Sequence, residues 1–364
     1  MGPSSYFIFH PSSFPQMTPN ILRTAHAEFR VTDLALAKTF YVDALGLKIT
    51  HEDSERVYLG CIEERDPYSL VLRKSAQPGL SYLAFKVERE SDLDGLAWIA
   101  GEDNLQHKWL DPGAKYKMGR TLAMQDPNGI PLHFYYEAER RDWDLQKYHE
   151  HRGAKIQRID HYNCQVPDVR KAYEWYTKRL GFHCSEYTAA NDQPKVPGEY
   201  SASNPSFSWR CVETDDLWAT WLHRKPNVHD IAMMNGIGPR LHHVGFWAYD
   251  RLSILDACDV LASMGMVEQI ERGPGRHGLS NAFFLYLRDF DNNRIEIYTG
   301  DYLITDWDVP PVRWSINDKR RATFWGHTPP KSWFDEASLV EDIVSGELMP
   351  TGEPKFFGRP SFVV

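Results

Sequence analysis

A chain of 364 residues is long for one domain and fits two, and 42% hydrophobic residues supply sizeable cores. The net charge of −9 excludes the basic footprint that a nucleic-acid surface requires. Five scattered cysteines (Cys61, Cys164, Cys184, Cys211, Cys258) lack Cys-x-x-Cys spacing, and no apolar run approaches the roughly 18 residues of a membrane span, so a protein of the reducing cytoplasm with no membrane partner is expected.

In chain order, the opening MGPSSYFIFHPSSFPQM has no basic region followed by a long apolar core, so residues 1–19 read as a loose arm rather than a signal peptide, with a translation start at Met17 as the alternative. AHAEFRVTDLALAKTFYVDALGL (Ala25 to Leu47) then reads as a strand, a helix opening near Asp33 and a glycine stop at Gly46. The same plan returns in DHYNCQVPDVRKAYEWYTKRLGF (Asp160 to Phe182), where Asp168 and Gly181 take those places. Farther on, Tyr82-Leu83-Ala84-Phe85 matches His243-Val244-Gly245-Phe246, and DPNGIPLHFYY matches DFDNNRIEIYT, each of the last two a turn and then a strand. The chain is thus an internal repeat: a module over 20–150, a second over 155–303, and a tail over 304–364 rich in Pro, Trp and Arg. The offset between copies rises from 135 at the first match to 161 and 163 at the later two, so the second copy carries about 26 extra residues. The polar run Thr188 to Leu217 is their expected place, as a surface loop or, less simply, a lid.

Strand alternation puts Ile159, His161 and Asn163 on one face, His243 with Gly245 and Trp247 on another, and Arg294, Glu296 and Tyr298 on a third, with His242 pointing away from His243. A lone strand histidine is commonly a hydrogen-bonded core residue. Three metal-competent side chains on separate strands of one module point instead to a facial triad of two imidazoles and a carboxylate, which suits Fe(II) and leaves three octahedral positions open. Mn(II) accepts the same donors. The first module has His26, Tyr82 and His133 at the matching positions, so the carboxylate is missing and a structural copy without metal is expected.

The runs HRKPNVHD, PRLHHVGF, ERGPGRHGLSNAFFLY and NRIEIYTGDY together resemble the extradiol ring-cleaving catechol dioxygenases of the vicinal oxygen chelate superfamily, over about residues 20 to 338. The resemblance implies an α+β fold of two tandem modules, each built from paired βαβββ units with mixed sheets, with the tail lying over the active site. It implies metal ligands at His161, His243 and Glu296, an acid–base histidine at His229 and a supporting histidine at His277. Tyr286 would hydrogen-bond a substrate oxygen, Asn163 would stand beside the oxygen site, and Trp221 would line the pocket. The branch most alike acts on 3,4-dihydroxyphenylacetate, whose carboxylate would be held by Arg272 and by Arg320 or Arg321; the pair sits one residue nearer Glu296 than the pattern, which leaves open which of the two reaches the pocket. The implied reaction is ring cleavage by O₂ at Fe(II) to 5-carboxymethyl-2-hydroxymuconate semialdehyde, in a homotetramer. Another substituted catechol is the alternative substrate. A glyoxalase-type isomerase would need ligands from both modules, and a ligand-sequestering protein on this fold would have no use for the triad and His229 together.

Overall fold

The computed structural model describes residues 18–196, 205–356, 358 and 360. Most of the expected N-terminal arm and part of the 188–217 run fall outside them. The first module contributes β1 (Ile21–Val31), β2 (Lys48–Glu52), β3 (Arg56–Gly60), β4 (Leu70–Lys74), β5 (Gly79–Val87), β6 (His107–Leu110), β7 (Thr121–Gln125) and β8 (Pro131–Tyr135). The second contributes β9 (Ile156–Val166), β10 (His183–Ala189), β11 (Leu217–His223), β12 (Ile231–Asn235), β13 (Arg240–Ala248), β14 (Ile270–Arg276), β15 (Phe283–Arg288) and β16 (Arg294–Thr299). Helices α1 (Leu34–Lys38), α2 (Glu90–Glu102), α3 (Val169–Lys178), α4 (Pro205–Thr214) and α5 (Arg251–Ser263) lie between them.

The first sheet runs β2-β3-β4-β1-β5-β8-β7-β6 and the second β10-β11-β12-β9-β13-β16-β15-β14, followed outward from β10 by a strand of the tail. The two orders superpose strand for strand. In each, the outer pairs β1/β4, β5/β8, β9/β12 and β13/β16 are parallel, and the central pairs β1/β5 and β9/β13 are antiparallel. That is a pair of βαβββ units per module, as expected.

Local chemistry accounts for the repeat. The Asp33 carboxylate accepts from the Ala35 and Leu36 amides and opens α1, and Asp168 accepts from the Lys171 amide and opens α3. Gly46 and Gly181 follow at φ +83° and +70°, a left-handed turn that costs glycine little. One face of each sheet packs under the helices into a core that includes Phe29, Phe85, Tyr162, Val244, Phe246, Ile295 and Ile297. The other face curls around the polar groups considered below. The modules lock together where the Tyr162 hydroxyl donates to the carbonyls of His26 and Ala84 and Asp230 accepts from the Thr24 amide. All five cysteines are free thiols.

The extra residues of the second copy do separate β10 from β11, where the first copy has a turn of a few residues between β2 and β3. They hold a helix, α4, rather than loop alone. Arg170 and Tyr173 of α3 bond to Val212, Glu213 and Asp215, so this segment rides on the helix-covered face, away from the polar interior.

The tail adds β17 (Val312–Ser315) parallel to β10, α6 (Lys319–Ala322), α7 (Ser332–Asp335) and β18 (Ser338–Leu339) against β13. It then crosses to the first module, where Glu341 pairs with Arg30 and Arg73. No helix among the described residues is long and apolar enough to cross a membrane.

Candidate metal centre and active site

The strands β9, β13 and β16 are neighbours, and Gly245 of β13 stands in register between His161 on one side and Glu296 on the other. The glycine is required there. A Cβ would collide with the His161 ring. His161 Nε2 lies 2.9 Å from Glu296 Oε2 and 3.3 Å from His243 Nε2, and His243 Nε2 lies 3.3 Å from Glu296 Oε2. Three donors each about 2.1 Å from a cation, at right angles, would be about 3 Å apart. The buried trio therefore has the spacing of one face of an octahedron. It fits a divalent metal with nitrogen and oxygen preference.

Strict alternation fails at three points between β9 and β13, and two of them shape the site. Gly245 pairs with His161 but Phe246 pairs with Ile159, so Asp160 is the extra residue of a bulge. Ile159 consequently turns into the main core and does not share a face with His161. Likewise His243 pairs with Asn163 and Leu241 with Cys164, so His242 is the extra residue of a second bulge. Instead of pointing away, its Nδ1 lies 2.7 Å from Nδ1 of His243. Asp160 Oδ2 sits 3.4 Å from His161 Nδ1 and also accepts from the Tyr298 hydroxyl and the Asn227 amide. Burial works against charge on His161, yet its bonds to Asp160 and Glu296 raise it to about 9. Burial opposes the Glu296 charge as well, and the histidines around it hold it well below the usual carboxylate range. Burial, with Arg294 nearby, keeps His242 well below the usual imidazole range.

A cavity of about 620 Å³, mouth included, opens on the trio and is lined by Asn163, Trp221, His229, Arg272, His277, Tyr286 and Arg321. The His229 ring lies 4.0 Å from that of His161, and burial keeps it well below the usual imidazole range. His277 donates from Nδ1 to the Ala322 carbonyl, so its Nε2 accepts from the Tyr286 hydroxyl at 2.9 Å. Asn163 Oδ1 is buried with no hydrogen-bond partner.

Two guanidinium groups line the cavity without a carboxylate. Arg272 donates to the Ala322 carbonyl and the Thr323 hydroxyl and lies 4.6 Å from the Trp333 ring. Arg321 has two buried nitrogens with no partner and lies over Trp218. Burial pushes both down to about 10, helped for Arg321 by the charge on Arg272. Arg320 does not belong to this group. Asp318 caps α6 and pairs with the Arg320 side chain at 3.0 Å, which turns it into solvent, 72% exposed. Of the two arginines left open by the sequence, Arg321 is the one in the pocket. No described residue between 190 and 216 lines the cavity, and residues 197–204 of the inserted segment lie outside the described residues. Lining residues that sequence reasoning did not single out are Met234, Leu279, Ser280, Ala282, Tyr298, Asp301, Ala322 and Trp333. Tyr298 and Asp301 carried a signal through the run NRIEIYTGDY, and Leu279, Ser280 and Ala282 through the run ERGPGRHGLSNAFFLY.

Residues 158–297, which hold all three triad members, match the model of the glyoxalase/bleomycin resistance protein/dioxygenase superfamily. The whole chain is similar to an extradiol ring-cleaving dioxygenase from B. fuscum, at 36% identity over 93% of this chain and 88% of that one, with a TM-score of 0.84. The chain belongs to the extradiol dioxygenases. A second solved relative, homoprotocatechuate 2,3-dioxygenase from Arthrobacter globiformis, is 36% identical over 92% of this dioxygenase and 96% of its own length, with a TM-score of 0.83. Among curated proteins, a manganese-dependent 2,3-dihydroxybiphenyl 1,2-dioxygenase from Geobacillus genomosp. 3 is 26% identical over 85% of this dioxygenase and 95% of its own length. This dioxygenase is therefore an oxidoreductase that cleaves a catechol ring with O₂, and its metal is Fe(II) or Mn(II).

The first module of the dioxygenase keeps the geometry without the full donor set. His26 pairs with Ala84 and Ala84 with His133, the same register as the metal-competent copy. There Tyr82 stacks on His133 at 3.7 Å, and the Lys115 ammonium lies 4.3 Å from the centre of the Tyr82 ring. A resident cation and a missing carboxylate both oppose a metal.

Proposed function

We propose that this dioxygenase acts on 3,4-dihydroxyphenylacetate and yields 5-carboxymethyl-2-hydroxymuconate semialdehyde, with the metal on His161, His243 and Glu296. The observation that carries the substrate choice is the pair Arg272 and Arg321, buried at the cavity wall with guanidinium nitrogens unpaired. A buried charge is costly unless something pairs with it, and a carboxylate on the substrate is the partner this wall lacks.

A divalent metal held by His161, His243 and Glu296 would supply Lewis acidity that makes the catechol hydroxyl more acidic and would couple a triplet oxidant to a singlet ring. The chain's own groups then divide the work. His229, neutral at physiological pH and next to the trio, takes the proton that the catechol loses and returns it to oxygen as the ring opens. The Tyr286 oxygen accepts from a substrate hydroxyl, and His277, fixed by the Ala322 carbonyl, holds the Tyr286 hydrogen and so orients that oxygen. Asn163, whose Oδ1 has no partner, stands at the oxygen side of the cavity. Trp221 and Trp333 wall the ring. We place the enzyme in the cytoplasm as a homotetramer; the exposed Tyr249, Leu252 and Leu255 near and along α5 support self-association.

The test is a panel of catechols with O₂ after anaerobic Fe(II) loading. A yellow ring-fission product, formed much faster from 3,4-dihydroxyphenylacetate than from catechol, is expected. Preference for an uncharged catechol, such as 2,3-dihydroxybiphenyl, would defeat the substrate reading and leave the reaction class standing.

A further inference from the structure

His242 has no place in the reaction as described, and the tail helix α7 enters it only through the Trp333 side chain, yet the two form a chain that ends on a metal ligand. His242 Nε2 lies 2.8 Å from the Trp333 carbonyl oxygen of α7. A carbonyl only accepts, so this nitrogen carries the hydrogen. A neutral imidazole has one N–H, and His242 is fully buried beside the Arg294 guanidinium, which donates to the His242 carbonyl at 3.1 Å. Its Nδ1 is therefore an acceptor. The 2.7 Å contact between the two Nδ1 atoms must then be filled by a hydrogen on His243 Nδ1. That leaves His243 Nε2 with a bare lone pair, aimed at Glu296 and His161. The opposite tautomer would point an N–H at the metal position and could not ligate.

The carbonyl at the end of the chain is itself held firmly. Arg294 donates to the Ser332 and Glu336 carbonyls at the two ends of α7, and Glu271 holds Arg294 from below. The first module provides a control within the same molecule. It has the same bulge, but the extra residue there is Ser81, whose hydroxyl accepts from Arg73 and contacts no ligand position. The backbone device is present in both copies, and a histidine occupies it only where a metal-competent histidine follows. The other imidazole is served differently, by the Asp160 carboxylate on its own bulge.

We propose that His242 is a positioning residue that fixes the metal-binding tautomer of His243 against the Trp333 carbonyl, which makes the tail helix part of the metal site. This rests on the reading of His243 as a ligand. Partners of this kind typically account for 10- to 100-fold in metal affinity. The test measures Mn(II) affinity of the full chain by competition with a fluorescent chelator. His242→Leu should weaken binding by about 10- to 100-fold. His242→Asn, whose Oδ1 can accept from His243 in place of Nδ1, should recover most of the loss. Nitrogen-15 spectra of histidine-labelled, metal-free wild type should show hydrogen on His242 Nε2 and His243 Nδ1, a measurement that needs no variant to fold. Hydrogen on His243 Nε2, or wild-type affinity in folded His242→Leu while His243→Ala loses metal, would overturn the inference alone. Wild-type affinity in His243→Ala would remove the ligand reading and the inference with it.

Discussion

Replacing Arg321 by leucine should separate substrate recognition from stability. The guanidinium is buried, two of its nitrogens are unpaired, and it is pushed down to about 10. Arginine stays protonated at pH 7 in the folded and unfolded chain alike, so a depressed folded value is a cost borne by the folded state. At 1.36 kcal/mol per pH unit that cost is about 3 kcal/mol as an upper bound. Leucine removes it and keeps the apolar stem near Trp218. The same substitution removes a charge-assisted contact worth roughly 1.5–3 kcal/mol in a shielded site. Turnover should therefore move opposite to stability. For 3,4-dihydroxyphenylacetate kcat/KM should fall about 10- to 150-fold, for 4-methylcatechol it should change little, and Tm should hold or rise. The assay is product absorbance for both substrates beside a thermal melt. An equal loss on both catechols, or a lowered Tm with discrimination intact, would refute the reasoning that this charge waits for a carboxylate.

Four further outcomes are expected. His229→Phe should retain metal by elemental analysis while turnover falls on the order of 10²- to 10⁴-fold, and an unchanged rate would end the proton-transfer role. Glu296→Ala should lose the metal, which the same analysis checks directly. Gly245→Ala should displace the His161 ring and weaken Mn(II) binding without removing any donor; wild-type affinity would show that the strand can yield. Glu271 is held down to about 2, because bonds and charge from Arg294 and Arg288 outweigh the burial that opposes its ionisation. A depressed carboxylate contributes stability above its unfolded value and loses it as pH falls through the folded one. On the order of 3 kcal/mol should thus disappear between about pH 4.5 and 2. Glu271→Gln should flatten that part of the stability profile and lower stability at pH 7, as read by denaturant melts.

The repeat, the strand–helix–strand plan and the three donor positions were legible because they rest on local signals: capping aspartates, left-handed glycines and two-residue alternation. The bulges at Asp160 and His242 were not. A bulge is a two-strand property, visible only once the partner register is known, and it reversed the expected orientation of Ile159 and His242. Trp333 escaped for a related reason, since nothing local says where a Pro-rich tail will return. The choice between Arg320 and Arg321 needed one turn of helix, because neighbours on α6 point about 100° apart and Asp318 claims the first. The inserted run read as polar loop because polar residues, two prolines and a glycine mark its start, while the Cys211 and Val212 that bury α4 come late in it.

The methyl group of Ala84 has a meaning beyond its size. It occupies the register position at which the metal-competent half has a glycine, and where a Cβ would collide with the His161 ring. Returning a histidine to position 82 and an acid to position 133 would rebuild the lost donor set on paper, yet the His26 ring would still find its approach blocked. The duplicated half is committed to its role as scaffold by an inert atom as well as by its missing ligands, so any attempt to build a two-centre enzyme from this chain has to begin with that carbon.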